Sequence, residues 1–386
     1  MSSNLIFKTF NFKIKIKDKK KLLQLIQKII KEEKPEFFKS FKKNFEYSFS
    51  KKLIQKYKDF KNINIIGMGG SSLGTKAIYN FLKYKIKKKL TFSDNINLNK
   101  ENKLKKLNII VSKSGNTLET VVNLNTQFNK LDKNIFITEN TNNYLRNLAN
   151  KLKSDVIEHK NFIGGRFSVL SEVGMLPAQL MGLKDTKFKK FNNLITKKNF
   201  LDNLIHNTLS SYQFTKLKKF NSIILNYDEN SEDLFKWYQQ LISESLGKNS
   251  KGILPVISNM PKDNHSILQL YLSGFKPNFY TFYIVEEMNS TYLNSKLILD
   301  KFKFLQGKNV YEILNSQRIA TENIFRRKKI PFRSFYIKKR NEETMGELFC
   351  FFTLEVILLS HLLKINPLNQ PEVELVKKET FKILKK

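Results

Sequence analysis

Short apolar runs alternate with helical patterns along the first half of the chain. Between these runs, apolar residues recur every three or four positions, which is the spacing of an amphipathic helix. Strands that alternate with helices predict a parallel sheet covered on both faces. The predicted strands of this sheet are 63–66, 90–92, 108–111 and 135–138.

The same alternation returns after a Lys/Asn-rich stretch near residue 186. Strands are predicted at 222–226, 253–257 and 279–285, with a helix over 232–246 between the first two. This second set predicts another unit of α/β type, looser in its pattern than the first.

The pattern as a whole predicts an α/β fold in three parts. We expect two αβα sandwich domains built on parallel sheets, at 1–185 and 186–344, and a helical C-terminal segment at 345–386. The two sandwiches are not repeats by residue identity, and no low-complexity linker separates them. We therefore expect them to pack tightly against each other.

The two ends of the chain carry different apolar patterns. Residues 1–17 alternate apolar residues with lysine like an exposed strand, without the continuous apolar core of a secretion signal, and 18–34 have helical periodicity. The longest apolar stretch, 348–365, contains Glu355 and Lys364, which a membrane span tolerates poorly. We predict that it is a buried helix and that no membrane is involved.

The chain is strongly basic, with 69 Lys and Arg against 34 Asp and Glu and a formal net charge of +35. Only seven of these basic residues are arginines. Because base readout relies on the planar arginine fork, we expect no specific nucleic-acid partner, although RNA adhesion at low salt is expected. The single cysteine, Cys350, excludes an intramolecular disulfide and fits a reducing, cytoplasmic location.

Half of the fourteen glycines lie in three short loops at 67–74, 112–117 and 164–166. The first two follow predicted strands, so their backbone N–H groups and the next helix N-terminus suit an anion. For the first loop, a tight turn, a dinucleotide site and a phosphate site remain open, since Asp94 stands near the acidic position that a dinucleotide site needs. The three hydroxyls of the second loop favour phosphate over an N-cap completed by Glu119.

Four further residues are notable for their type and position. Arg166 is one of two arginines in the first 317 residues, which indicates a need for the guanidinium itself or a buried ion pair. Gln240 and Glu244 share a helix face, and Glu244 opposes the helix dipole there unless it is a surface carboxylate paired with Lys248. His265 stands at a predicted helix start, as a functional group or simply as an N-terminal residue. The spacing of His and Cys matches no metal site, and we expect none.

Six motifs in this order resemble those of the phosphoglucose isomerase family. They are GMGGSSLG, SKSGNTLET, GGRFSVLSEVG, ESLGK, DNHSILQL and INPLNQPEVELVKK, and they span residues 67–378. The third, fourth and last are highly specific, whereas the first two alone indicate a sugar-isomerase (SIS) phosphosugar domain. The resemblance therefore implies that both sandwiches are of the SIS type.

The resemblance implies a role for each matching residue. Glu244 matches the catalytic base, and Arg166 matches the arginine that steadies the enediolate. His265 and Lys377 match the groups that open the sugar ring, with the histidine supplied by the partner subunit. The residues implied to bind substrate are Gly70, Ser71, Ser112, Lys113, Ser114, Thr117, Gln240 and Gln370.

The implied activity is the reversible isomerisation of glucose 6-phosphate and fructose 6-phosphate, as in glycolysis and gluconeogenesis. A proton moves through an enediolate, so no cofactor is expected, and the family implies a homodimer with a shared active site. The alternatives are an isomerase that also accepts mannose 6-phosphate and a non-catalytic phosphosugar-binding regulator. The chain departs from the family pattern at Asn369 and Glu372, usually Asp and Gly, which bears on the placement of Lys377.

Overall fold

The computed structural model describes residues 5–12, 19–32, 34–96, 105–274, 276–287 and 289–386. The strands are β1 Leu5–Lys8, β2 Asn62–Ile66, β3 Lys89–Ser93, β4 Leu107–Val111, β5 Lys133–Thr138, β6 Asp155–Glu158, β7 Asn221–Asn226, β8 Leu254–Asn259, β9 Asn278–Val285 and β10 Phe332–Ile337. The helices are α1 Lys19–Glu32, α2 Lys51–Tyr57, α3 Leu73–Leu82, α4 Leu118–Thr126, α5 Tyr144–Lys151, α6 Glu172–Leu180, α7 Asp185–Phe188, α8 Phe191–Leu194, α9 Lys198–Lys216, α10 Glu232–Leu246, α11 Leu268–Ser273, α12 Val310–Arg327, α13 Glu342–Leu363 and α14 Pro371–Leu384.

The first sheet is parallel and has the strand order β3-β2-β4-β5-β6. Its side chains alternate between two cores, because successive residues of a strand point to opposite faces. Ile66, Ile110 and Phe136 pack under α4 and α5, whereas Ile65 and Ile109 join the main core on the other face. The four strands predicted from the sequence are confirmed, and β6 is an addition at the sheet edge.

The second sheet has the order β1-β10-β9-β7-β8. Its strands are parallel except for β1, which pairs antiparallel with β10 at the edge. The three predicted strands and the helix over 232–246 are confirmed, while β10 was not predicted. The expected N-terminal strand is confirmed at β1, and residues 13–18 lie outside the described residues.

The pairing of β1 bears on the division of the chain into domains. Residues 5–8 fall in the predicted first domain, 1–185, but they complete the sheet of the second. Main-chain hydrogen bonds join β1 to β10 of the second sheet. The Leu5 side chain is also buried in the main core, where it is 4% exposed. The three-part division therefore stays a proposal, with this strand assigned to the second sandwich.

One continuous core joins the two sandwiches, as expected from the lack of a linker. Helices α3 and α10 pack against each other between the sheets, and α13 packs on α9 and α10. Among the described residues, α13 alone is long and apolar enough to cross a membrane, but 89% of its most apolar window is buried inside the protein. Its Glu355 binds the buried Arg333, which explains a carboxylate in this apolar helix.

The C-terminal segment is helical, as predicted, and a break separates α13 from α14. Helix α13 ends at Leu363 and is followed by Lys364, whose φ of 56° is left-handed, a common way to terminate a helix. Residues 364–370, here called the strap, then lead to α14, none of whose residues is buried. The strap is the part of this segment that reaches the candidate site.

Candidate active site

The first glycine loop lies against both the third loop and α10. A Cβ at Gly70 would overlap the Gly165 carbonyl group and lie 2.7 Å from the Arg166 nitrogen. Gly69 has a φ of +52°, and a Cβ there would lie 2.8 Å from Gln240 Nε2. Gly70 is therefore required for the close approach of two backbone segments, and Gly69 leaves room for the Gln240 side chain, which a tight turn alone does not need.

We expect Gly70→Ala to lower kcat/KM for a phosphosugar by about tenfold or more, because the added methyl group displaces the loop that carries Arg166. Gly164→Ala is the matched control in the adjoining loop, since its Cβ would meet only Phe167, at 3.4 Å. Steady-state kinetics of the two purified variants check this. Equal kinetics for both variants would show that the close approach at Gly70 does not matter to the site.

The second loop presents hydroxyl groups at the carboxyl end of β4. The Ser112 and Thr117 hydroxyls lie 2.8 Å apart, and Ser114 Oγ accepts a bond from the Asn116 N–H at 3.3 Å. Thr117 is the N-cap residue of α4, but its side chain makes no capping hydrogen bond. The capping alternative is therefore not formed, and the end of α4 keeps donors for an anion.

Lys113 and Ser71 lie at the edge of this region. Lys113 Nζ donates to the Asn161 carbonyl at 2.7 Å and lies 3.6 Å from Glu139. Ser71 ends the short 3-10 turn that follows β2. The acidic residue considered for a dinucleotide, Asp94, is paired with Lys76 at 2.9 Å. That pairing occupies the carboxylate on which the dinucleotide alternative depends.

Arg166 is the centre of the site. Its side chain is 3% exposed and uses every guanidinium nitrogen. Nε donates to Ser245 Oγ at 3.0 Å, and Nη1 donates to Glu244 Oε2 and Gln370 Oε1, both at 2.8 Å. Nη2 donates to the carbonyl oxygens of Pro367 at 2.5 Å and Asn369 at 3.2 Å. A planar five-donor group fits this arrangement, and a lysine could not reproduce it.

Glu244 is held on both carboxylate oxygens. Oε2 accepts from Arg166, and Oε1 accepts from Gln240 Nε2 at 2.8 Å across one helical turn. The Glu244 side chain is 28% exposed, so it opens to solvent while Arg166 does not. The Gln240 Oε1 atom is buried and lacks a partner within the described part of the chain, which leaves an acceptor available to a ligand hydroxyl.

The electrostatics favour a fixed carboxylate–guanidinium pair. Burial lowers the pKa of Arg166 below its ordinary value, and the charge of Glu244 opposes that shift. The surface pairing of Glu244 with Lys248 is not formed, because Lys248 Nζ binds the Ser245 and Asn366 carbonyls instead. The ion-pair and functional interpretations of Arg166 therefore coincide, since its partner is the candidate base.

The structure does not bring His265 and Lys377 to this cluster. His265 is exposed in the short turn that follows the carboxyl end of β8. The last turns of α10 lie at the other end of β8, where Gln239 Nε2 donates to the Pro255 carbonyl at 3.0 Å. Lys377 lies on exposed α14 and pairs with Glu374 at 2.7 Å.

Sequence reasoning missed several groups of the site. Ser245 follows Glu244 directly in the chain, and that adjacency was the available signal; Lys248, considered only as a surface partner of Glu244, binds two backbone carbonyls instead. The backbone carbonyls of Pro367 and Asn369 carry no side-chain signal at all. Because Asn369 contributes its carbonyl, the replacement of the usual aspartate at this position leaves the Arg166 contact intact. Within the described residues, no group of three His, Cys, Asp or Glu side chains could hold a metal ion.

A known protein family matches the part of the chain that contains Arg166 and Glu244. Residues 36–257 match the sequence model of a family described as phosphoglucose isomerase. The chain belongs to the phosphoglucose isomerase family. It is 33% identical over 360 residues to a glucose-6-phosphate isomerase of Methanocaldococcus jannaschii, covering 86% of this chain and 87% of that one. A glucose-6-phosphate isomerase of Mycoplasmopsis pulmonis is also 33% identical, over 83% of this chain and 82% of that one.

Solved structures share the fold of this chain. A hypothetical protein of Thermus thermophilus superimposes with a TM-score of 0.81 at 22% identity, covering 95% of this chain and 94% of that chain. A glucose-6-phosphate isomerase of Chlamydia trachomatis gives a TM-score of 0.71 at 19% identity, covering 86% and 71%. The predicted fold class of two parallel-sheet sandwiches is thereby confirmed for this phosphoglucose isomerase family member.

Proposed function

We propose that this chain interconverts glucose 6-phosphate and fructose 6-phosphate. The observation that carries the proposal is a half-open carboxylate, Glu244, fixed between the Arg166 guanidinium and the Gln240 amide. The relatives that share about a third of its residues over most of the chain are named glucose-6-phosphate isomerases. Both facts point to proton transfer on a phosphorylated sugar.

The phosphate group is held by the second loop in this proposal. Ser112, Ser114 and Thr117 supply hydroxyls, and the first turn of α4 supplies backbone N–H groups that suit an anion. Lys113 adds a positive charge beside the loop. Gly70 and Ser71 are assigned to the sugar because their turn lies between this loop and Arg166.

Glu244 is the base that moves the proton. As a carboxylate it takes the proton from C2 of the open-chain aldose and returns it to C1 of the enediolate, and the reverse reaction uses the same path. Arg166 stabilises the negative charge that develops on the enediolate oxygens without itself titrating. Gln240 and Gln370 fix the carboxylate and the guanidinium, so the pair is oriented before substrate arrives.

Ring opening is assigned to His265 and Lys377, and it requires a second copy of the chain. Glu244 and His265 lie near opposite ends of β8, whose six residues span roughly 20 Å at ~3.3 Å each. A histidine at that distance cannot share one sugar with its own Glu244, whereas a partner's histidine can. We therefore propose a homodimer in which each site combines residues of two subunits.

Exposed apolar side chains are available for that interface. Tyr292, Leu297, Leu299 and Phe304 in the segment before α12 are 68–78% exposed. On α14, Leu375 and Val376 are 59% and 69% exposed. Clustered exposure of this kind marks an interaction surface rather than ordinary scatter.

Mixing two inactive variants tests the shared site. Glu244→Gln and His265→Ala subunits, unfolded and refolded together, should regain activity, because each mixed dimer holds one site with both native residues. About a quarter of the sites are restored by random mixing of equal amounts. Steady-state isomerase assays on the mixture and on each parent measure this. Activity no greater than the average of the two parents would show that both residues act within one subunit.

A direct assay tests the proposed reaction. Purified protein receives fructose 6-phosphate, and the formation of glucose 6-phosphate is followed with a coupled dehydrogenase; mannose 6-phosphate is tested in parallel. Turnover of fructose 6-phosphate is expected. Turnover of mannose 6-phosphate as well would establish the broader isomerase, and binding without any turnover would favour the phosphosugar-binding regulator.

The cellular setting follows from the reaction in this proposal. An isomerase of these two sugar phosphates serves glycolysis and gluconeogenesis in the cytoplasm. We assign no membrane and no specific nucleic acid as partners, since the long apolar helix α13 is occupied by the core and the charge is carried mainly by dispersed lysines.

A further inference from the structure

The strap, residues 364–370, is held against the site by cations that bind its carbonyl groups. Arg166 binds the Pro367 and Asn369 carbonyls from inside the protein. From the other side, Lys248 Nζ donates to the Asn366 carbonyl at 2.6 Å. The strap supplies Gln370 to Arg166, so whatever holds the strap also sets the geometry around the guanidinium.

Apolar packing does little to hold the strap. Ile365 is buried at its start, but Leu368 is 48% exposed, and Asn366 and Asn369 are exposed as well. Helix α14 beyond it buries no residue and offers no second anchor. A segment with so few buried contacts depends on its hydrogen bonds for a fixed position.

Lys248 connects the strap to the helix that carries the base. Besides the Asn366 carbonyl, its ammonium binds the Ser245 carbonyl in the last turn of α10 at 3.0 Å. Ser245 is itself bonded to Arg166 through its hydroxyl, and Glu244 precedes it. A cation at this helix C-terminus also suits the helix dipole.

We propose that Lys248, in its charged form, is a positioning residue that fixes the strap and Gln370 against Arg166 during isomerisation. The inference rests on the proposed function, because it concerns the same site. Lys248 does not reach the reacting atoms in this role; it acts through the strap on the group that stabilises the enediolate.

The charge of Lys248 is sensitive to pH near neutrality. Burial and the nearby charge of Arg166 lower its pKa to about 8, and Glu244 opposes that shift. Within the described part of the chain, Arg166 and Glu244 are the charged groups that act on Lys248; Lys251 faces it across a backbone bridge but directs its ammonium to the Leu363 carbonyl. The Lys248 side chain is therefore mostly protonated at pH 7 and half protonated near pH 8, and the strap loses its charge-assisted bonds as pH rises through 8.

Three variants test the role. Lys248→Gln is expected to lower kcat about tenfold at pH 7 with a smaller change in KM. The fall of kcat at high pH, here called the alkaline limb, should become shallower in this variant. Lys248→Arg is expected to recover most of the lost kcat and to move that limb upward by about two pH units or more, since a guanidinium stays charged. Lys251→Gln is the matched control, because Lys251 binds the Leu363 carbonyl at the end of α13 rather than the strap.

The proposal is overturned if Lys248→Gln turns over at the wild-type rate. It is also overturned if the alkaline limb of Lys248→Arg stays near pH 8. If Lys248→Gln does not fold, the comparison of wild type with Lys248→Arg decides alone. Hydrogen exchange separates this inference from the isomerase itself: the protection factors of 366–370 should fall between pH 7 and pH 9 in wild type but not in Lys248→Arg. Unchanged protection in wild type contradicts the role of Lys248 whether or not the protein isomerises fructose 6-phosphate.

Discussion

Glu244→Gln is expected to remove isomerisation while leaving phosphosugar binding in place. A positioned general base contributes ~10²–10⁴-fold to a rate, and glutamine has no basic oxygen for a carbon-bound proton. The amide retains the shape of the carboxylate, so its oxygen can still accept a bond from Arg166 or Gln240. Turnover of fructose 6-phosphate gives kcat, and calorimetric titration with the same sugar gives its dissociation constant.

The control for this variant lies on the same helix. Glu232 stands in the first turn of α10 and pairs with Lys236 at 2.7 Å, far from Arg166. Glu232→Gln removes one carboxylate from α10 without touching the site and should keep wild-type kinetics. An unchanged kcat in Glu244→Gln would mean that another group takes the C2 proton.

The strands that the sequence predicts best are those with continuous apolar runs. β2, β4 and β5 are covered by helices on both faces, so each carries a run of adjacent apolar residues. β6 consists of Asp155–Glu158 at an edge, where a charge at each end masks the pattern. β10, Phe332–Ile337, contains Arg333 and Ser334, whose buried side chains bind Glu355 and Glu322 from two different helices. No local pattern reveals such distant partners.

The residues of the site were likewise predictable only where their type or spacing marks them in the sequence. Arg166, Gln240 and Glu244 are predicted by residue type and spacing, and the structure joins them by hydrogen bonds. The roles of His265 and Lys377 come from family resemblance alone, and a single chain leaves both exposed and away from Arg166. Contributions by backbone carbonyls, and by the proposed second subunit, depend on tertiary and quaternary contacts that residue types do not encode.

The cluster sits where the two sandwiches meet, and this explains why residues so distant in sequence converge. The first sheet presents its loops at the carboxyl ends of β2 and β4, as expected for ligands of parallel sheets. The second sandwich contributes the C-terminal end of α10, whose packing against α3 brings Glu244 to Arg166. The strap contacts Arg166 from a third direction through the Pro367 and Asn369 carbonyls. The two sandwich parts are supported by rigid elements, which favours a preorganised site, whereas the strap depends on its hydrogen bonds.

Arg166→Lys should therefore reduce kcat by ~10²–10³-fold, the usual size of the effect when preorganised electrostatic stabilisation of a developing oxyanion is lost, even though the positive charge is kept. Lysine has three donors and no planar fork, so it cannot bind Ser245, Glu244, Gln370 and the strap at once.

Arg326→Lys is the control, because Arg326 is exposed on α12 and binds only Asn323 at 2.9 Å among the hydrogen bonds described. Kinetics with fructose 6-phosphate and thermal unfolding of both variants separate catalysis from stability, since a buried arginine also supports the fold. If Arg166→Lys melts like wild type and turns over at the wild-type rate, the charge alone suffices. The five-donor geometry would then be a structural device without a catalytic role.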